Sequence, residues 1–349
     1  MRLEPREDAP VWLGAAAPLA AIVVALALCS VLIVWAGAPV IDAYLSLASG
    51  ALGSRFALSE TLTRATPLIF TGLAAAVAFR AKLWNIGGEG QLYAGAMAVT
   101  WLGTGALTLP PVLMIPFLFL VGAIAGGLLL LVPTALKIYL KVDEVVTTLL
   151  LNFVVLLFVN FMLFGPWKDP LAMGWPQAAP VIDEGILPLL VEKTRLHAGF
   201  IFALFAALLA WALMRFTRWG YEIRAVGLNP QAAEFAGVPM TATVVRTALI
   251  SGGLAGAAGV CEVAGLKGYL TLDLSPGFGY TGIAVAMLAG LHPLGVIAAA
   301  VFIAGIYNGA DSMSRAMDIS NYLADVITAT ALLAVLASAL FTRYRLRAG

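Results

Sequence analysis

Runs of about 20 apolar residues, the length that crosses the hydrocarbon of a bilayer as a helix, follow one another along almost the whole chain. Ten candidates fall at 12–36, 62–79, 84–103, 111–136, 144–164, 198–214, 241–263, 278–290, 293–310 and 321–341. The eighth is too short to cross alone, and the third opens on polar residues and glycines. Composition agrees with that reading. Of 349 residues, 62% are hydrophobic and only 11% charged, with a mean hydropathy of +0.97, whereas soluble domains carry about 25% charge. A soluble enzyme, a nucleic-acid binder and a disordered chain are excluded together. The net charge of +1 indicates no polyanionic partner. Cys29 and Cys261 lie in apolar runs, where they offer neither a disulfide framework nor a metal cluster.

The first apolar run, from about Val11 to Val40, is twice the length of a signal-peptide core and reads as a retained span. Alternating the spans from a cytoplasmic N-terminus places thirteen of the twenty basic residues inside and seven outside. Arg80 with Lys82, Lys137 with Lys141, and Arg215 with Arg218 and Arg224 mark successive inner turns, as the positive-inside rule requires. The expectation is an all-α polytopic membrane helix bundle of about ten transmembrane spans with both termini cytoplasmic.

Two connections are longer than a turn needs. The outer segment 165–197 carries five prolines with Trp167 and Trp175. It suits either a loop with tryptophans at headgroup level or a docking surface for an external protein. In the inner segment 215–240, Asn229 suits an N-cap and Pro230 the first helical position. Gln231, Ala232, Ala233, Glu234, Phe235 and Ala236 continue the helix, and Gly237 ends it in the left-handed conformation. A capped cytoplasmic helix of two turns reads as a stray amphipathic element or as a lever that another protein pushes.

The fifth span aligns with the tenth through Glu144-Val145-Val146-Thr147 and Asp325-Val326-Ile327-Thr328, while the third and eighth both open on glycine-rich stretches. Both matches are offset by five spans, and an odd offset inverts the second copy. The chain then reads as two inverted-topology halves, an arrangement that transporters use for alternating access. The divisions are residues 1–60 (head, first span and outer loop), 61–165 (first repeat), 166–240 (outer loop, sixth span and inner helix) and 241–349 (second repeat and tail).

Polar side chains within spans are costly and mark function or buried pairing. In Trp84-Asn85-Ile86-Gly87-Gly88-Glu89-Gly90-Gln91, three glycines in four positions weaken a helix by about 1 kcal/mol each, so local unwinding is expected. Asn85 and Gln91 either satisfy the backbone groups thereby freed or, with Glu89, line a substrate path. On the fifth span Thr147, Thr148, Asn152 and Asn160 are polar. On the tenth, Asn321, Asp325 and Thr328 make one stripe. Helix–helix hydrogen bonding and lining a path explain these threonines and asparagines equally well. Glu144 and Asp325 stand near helix N-termini, where the helix dipole favours a carboxylate. No GxxxxGK[ST], H-E-x-x-H or G-x-S-x-G occurs, and neither His197 nor His292 has a ligand partner at metal spacing. No catalytic group is visible and no nucleotide loop is present.

Four stretches carry a resemblance. They are Leu83 to Leu92, Asp143 to Asn152 (Asp-Glu-Val-Val-Thr-Thr-Leu-Leu-Leu-Asn), Gly227 to Gly237 (Gly-Leu-Asn-Pro-Gln-Ala-Ala-Glu-Phe-Ala-Gly) and Gly277 to Ala286. In this order they resemble the membrane permeases of bacterial ABC importers in the branched-chain amino acid and simple-sugar group, and most of all the nucleoside permeases. The Asn-Ile-Gly-Gly-Glu-Gly-Gln run is the specific one, and the likeness covers about residues 61–341. At the second stretch the family often has an isoleucine-methionine-leucine-asparagine pattern, where this chain has Leu149-Leu150-Leu151-Asn152.

The resemblance implies a bacterial plasma-membrane subunit that binds no cofactor itself. A second permease, paralogue or copy, would complete the path, and a cytoplasmic ATPase dimer would use the ATP. An extracytoplasmic binding protein would deliver substrate, with membrane lipid as the surrounding partner and no role for nucleic acid. It implies coupling to the ATPase through Gly227, Asn229, Pro230, Ala232, Ala233 and Gly237. The candidate path residues are Asn85, Glu89, Gln91, Thr147, Thr148, Asn152, Asp325 and Thr328, with Thr148, Asn152 and Phe153 offering chemistry suited to a nucleoside. A simple-sugar permease is the alternative substrate reading. An ion-coupled secondary transporter, with Glu89, Glu262 or Asp325 as ion site, is the alternative from another class.

Overall fold

A computed structural model describes residues 2–5, 23–24, 26–320, 322, 325–330, 333–334, 337 and 344–347. The described residues are mainly helical: α1 (Leu26–Trp35), α2 (Val40–Leu52), α3 (Arg55–Arg80), α4 (Gly88–Gly103), α5 (Pro111–Leu140), α6 (Glu144–Phe164), α7 (Gly199–Phe216), α8 (Arg218–Leu228), α9 (Pro230–Phe235), α10 (Met240–Val260), α11 (Phe278–Leu288) and α12 (Pro293–Met317). The all-α expectation needs one amendment, a four-residue antiparallel pairing of Arg2–Pro5 with Tyr344–Arg347. Two compact units are formed, one from residues 1–61 with 301–349 and one from 62–300.

Six helices among the described residues are long and apolar enough to cross a membrane, or seven if α1 and α2, bent by 117° at their junction, make one span. The ten sequence-derived spans are not reached on that measure, for two physical reasons. First, the run 84–103 does not stay helical: α4 starts only at Gly88, and residues 83–86 carry no regular structure. Second, α11 has 11 residues, about 16 Å at 1.5 Å per residue, half a bilayer. Both glycine-rich openings are therefore true breaks. The run 12–36 is described only in part, from residue 23, and 321–341 lies largely outside the described residues. Helix α2 departs from the outer loop expected between the first two spans: Val40–Leu52 is helical.

In the smaller unit, Cys29 and Ile33 of α1, Ala43 of α2, Met313 of α12 and Ile327 form a buried cluster. Asn308 donates to the carbonyls of Gly50 (2.9 Å) and Ala57 (3.2 Å), closing the α2–α3 corner.

In the larger unit α10 is the central post, flanked by α5 and α4. Glycine makes that approach possible. A Cβ on Gly256 would overlap the Gly122 carbonyl, one on Gly126 the Gly252 carbonyl, and one on Gly95 the Gly256 carbonyl. In lipid, where burying apolar side chains against each other gains little, such backbone-to-backbone approach is what holds helices together. Beyond Val260 the post continues as a π-helical turn, Cys261–Lys267, stopped by Gly268 at φ +80°.

Segment 165–198 is an ordered strap. Its backbone donates from Ala178 to Leu270 (3.0 Å), from Val181 to Gly268 (2.8 Å) and from Leu187 to Ala264 (2.8 Å), binding it to the end of the post. Ile182 donates to Gly103 at the end of α4 (2.8 Å). Trp175 is exposed, and Trp101 and Trp167 line a small cavity of about 230 Å³ under the strap.

Candidate functional site: a helix break and an inner elbow

After α3 the chain turns at Lys82, in the left-handed region at φ 53°, and re-enters the bundle extended. Its freed backbone groups are met one by one. Trp84 N–H donates to Glu144 Oε1 (3.3 Å), Ile86 N–H to Thr148 Oγ1 (3.2 Å) and Gly87 N–H to Asn85 Oδ1 (2.9 Å). Asn152 Nδ2 donates to the Ile86 carbonyl (3.0 Å), while Asn152 Oδ1 accepts from Gly90 N–H (2.8 Å). Asn85 and Gln91 pair through both ends of their amides, at 2.9 and 2.8 Å. Asn85 also reaches Ser251 (3.0 Å), midway along α10, whose hydroxyl donates to the Ala74 carbonyl of α3 (2.7 Å). The break thus lies deep within the bundle, and Asn85, Gln91, Thr148 and Asn152 are buried and engaged in holding it open.

Helix α11 begins against the same point. Gly88 of α4 lies against Gly279 of α11, so two short helices meet N-terminus to N-terminus. Both ends carry partial positive charge from amides that have no acceptor within their own helix. Glu89, in the first turn of α4, accepts from Gly279 N–H at 2.7 Å, and its carboxylate also faces the Ser275 hydroxyl. Asn152 Nδ2 reaches Tyr280 Oη at 3.0 Å. Tyr93 of α4 donates to the Leu272 carbonyl (2.7 Å), tying down the irregular segment that leads to α11.

The sequence-nominated residues therefore divide. Asn85, Glu89, Gln91, Thr148 and Asn152 converge on one junction. Thr147 turns to the Asp143 carbonyl (2.9 Å) in its own first turn. Asp325, which is exposed, and Thr328, which is buried, belong to the smaller unit. Asn321 lies outside the described residues. Glu144 stands in the first turn of α6, as expected, directly after the cap Asp143, which accepts from Val145 (2.7 Å) and Val146 (3.3 Å). Glu144 also pairs with Lys137. Tyr280 and Ser251 were missed, because a lone tyrosine or serine in an apolar run has no periodic partner to single it out.

At the opposite end of the post stands an elbow. Helix α9 is capped as its sequence indicates, Asn229 Oδ1 accepting from Ala232 N–H (3.1 Å), with Pro230 at the first position and Gly237 at φ +79°. It is preceded by α8, which sequence reading passed over. Glu222 of α8 binds Arg218 (2.9 Å) and Arg246 of α10 (3.3 Å), and Arg246 lies over Trp219 at 5.0 Å from the ring centroid. Gly227 touches the end of α3 so closely that a Cβ would overlap the Arg80 carbonyl. The elbow is thus fixed to α3 and α10, while Phe235 and Leu228 at its tip are almost fully exposed.

Residues 57–336 match the family described as branched-chain amino acid transport system / permease component. The glucose ABC transporter permease protein TsgB13 of Haloferax volcanii is 34% identical over 99% of this chain and 93% of its own. The guanosine ABC transporter permease protein NupP of Bacillus subtilis is 34% identical over 92% of both. A second guanosine permease protein from that organism, NupQ, is 27% identical over 69% of this chain and 77% of its own.

Proposed function

Because this chain belongs to the permease-component family of branched-chain amino acid transport systems, and is a multi-pass membrane subunit of an ABC importer, we propose that it forms part of a path for nucleosides. The observation that carries the substrate is the likeness to a guanosine permease over nine-tenths of both chains. That NupP and NupQ of one organism both match supports a partner that is a diverged second permease. The exposed elbow tip of α9 is the seat for a cytoplasmic ATPase, which hydrolyses the ATP. An extracytoplasmic binding protein delivers substrate at the strap, and the bacterial plasma membrane is the setting.

Ten spans in two inverted halves, with both termini cytoplasmic, is the topology we infer. Two half-helices that start at one deep point, α4 running to the strap and α11 away from it, support that reading, since inverted repeats place broken helices so. Glucose stands as the second substrate reading, on the match to TsgB13.

Uptake of labelled guanosine, adenosine, ribose and glucose by cells with and without the chain tests this. Nucleoside uptake should disappear on deletion and on ATP depletion and survive collapse of the proton gradient. Loss with the gradient while ATP remains would mean an ion-coupled carrier. Loss of glucose or ribose uptake alone would transfer the assignment to sugars.

A further inference from the structure

At the break the donors of the buried Thr148 and Asn152 are spent on the chain itself. Asn152 spends its carbonyl on Gly90 and its amide protons on the Ile86 carbonyl and Tyr280. Thr148 Oγ1 donates to the Glu144 carbonyl (2.6 Å) and accepts from Ile86. Neither has a donor left for a passing ligand, so a hydrogen-bond donor to substrate has to sit beside them.

Tyr280 does. It lies in the first turn of α11, where the two half-helices begin, and its side chain is 38% exposed in a deeply placed region. Its hydroxyl accepts from Asn152, and among the described residues no acceptor takes its own proton. The ring is held at both ends, by the helix backbone and by that hydrogen bond, so little freedom remains to be lost on contact. A fixed aromatic face stacks on any nucleobase, and the free O–H donates to a ring nitrogen, carbonyl or ribose oxygen.

We propose that Tyr280 is a substrate-contacting, specificity-determining residue that stacks on the flat ring of the nucleoside as it passes the helix break. This rests on the nucleoside reading above.

The test is the uptake rate of guanosine and of uridine, each at saturating concentration so that delivery affinity drops out, in cells carrying the chain with its own partner subunits. Tyr280→Leu should lower the guanosine rate about tenfold and the uridine rate about threefold, the larger purine face losing more of the stack. Tyr280→Phe keeps the ring and should leave the guanosine-to-uridine ratio within about twofold of the parent. An equal fractional loss for both substrates in Tyr280→Leu, or the same ratio shift in Tyr280→Phe, overturns the assignment and makes Tyr280 a structural or subunit-contact residue. No nucleoside uptake by the parent cells overturns the nucleoside reading itself, and this inference with it.

Discussion

At Glu89 one carboxyl group stands in the first turn of α4 while accepting the amide that opens α11, so a single side chain answers the N-termini of two helices. Each such interaction is worth about 0.3–1 kcal/mol and more when buried. Glu89→Gln keeps an acceptor but removes the charge. It should lower stability by about 1–2 kcal/mol, read as a drop in the melting temperature of the purified complex. An unchanged melting temperature would show that hydrogen bonding, not charge, holds the junction. Asn152→Ala is a harsher change. It strands the Gly90 amide and the Ile86 carbonyl away from water, at about 1–3 kcal/mol each, and should reduce the amount of folded protein in the membrane. The type of each residue here was readable, asparagine and glutamine beside a run of glycines. Which group each one answers was not, since the partners stand about 60 positions apart (Ile86 with Thr148, Gly90 with Asn152) or 190 (Glu89 with Gly279).

Among elements, the α5–α10 seam and the α8–α9 elbow ask for different measurements. Gly256→Val puts a branched side chain where even a Cβ overlaps the Gly122 carbonyl. Overpacking of this kind costs about 3 kcal/mol or more when backbones cannot separate, so the variant should fail to accumulate as folded protein, and normal yield would disprove the seam. Phe235 of α9 is almost fully exposed at the elbow tip. Phe235→Glu should leave folding and ATP hydrolysis by the assembled complex in place while uptake falls about tenfold, in line with the 1–3 kcal/mol of typical coupling energies. Uptake that survives this change removes the lever role. Helix α9 was legible because Asn229, Pro230 and Gly237 are local signals. Helix α8 was not: its glycines at 220 and 227 depress propensity, and only close packing explains them, Gly220 against Leu213 and Gly227 against Arg80.

For the larger unit as a whole, the strap that crosses the end of α10 carries a pH-sensitive joint. His197 is buried, its Nδ1 accepts from Gly199 N–H (3.2 Å), and Gly265 leaves it room. Burial lowers its pKa from 6.5 to about 4. The unfolded chain then binds more protons than the folded one between those values. The neutral-histidine contribution is fully present above about pH 6.5 and is lost as pH falls towards 4. A melting-temperature series from pH 7.5 to 4.5 should decline more steeply for the parent than for His197→Gln, which has no titrating group. Parallel declines would show that other groups govern acid stability.

Local order along the chain was enough to settle that this protein lives in lipid, where its long apolar helices run, that two apolar runs open on breaks, and that Asn229 starts a capped helix. Hydropathy, glycine and capping act within a few residues, so they are written in consecutive letters. What only the tertiary structure decided is the use of those features. Glu89 serves a helix nearly 200 residues away, Glu144 meets the Trp84 amide some 60 positions before it, and Thr148 and Asn152 hydrogen-bond the backbone of the helix break. In hydrocarbon each freed backbone group takes whichever polar neighbour packing brings within about 3 Å, and that neighbour is chosen by the three-dimensional approach of helices, which no single window of sequence contains.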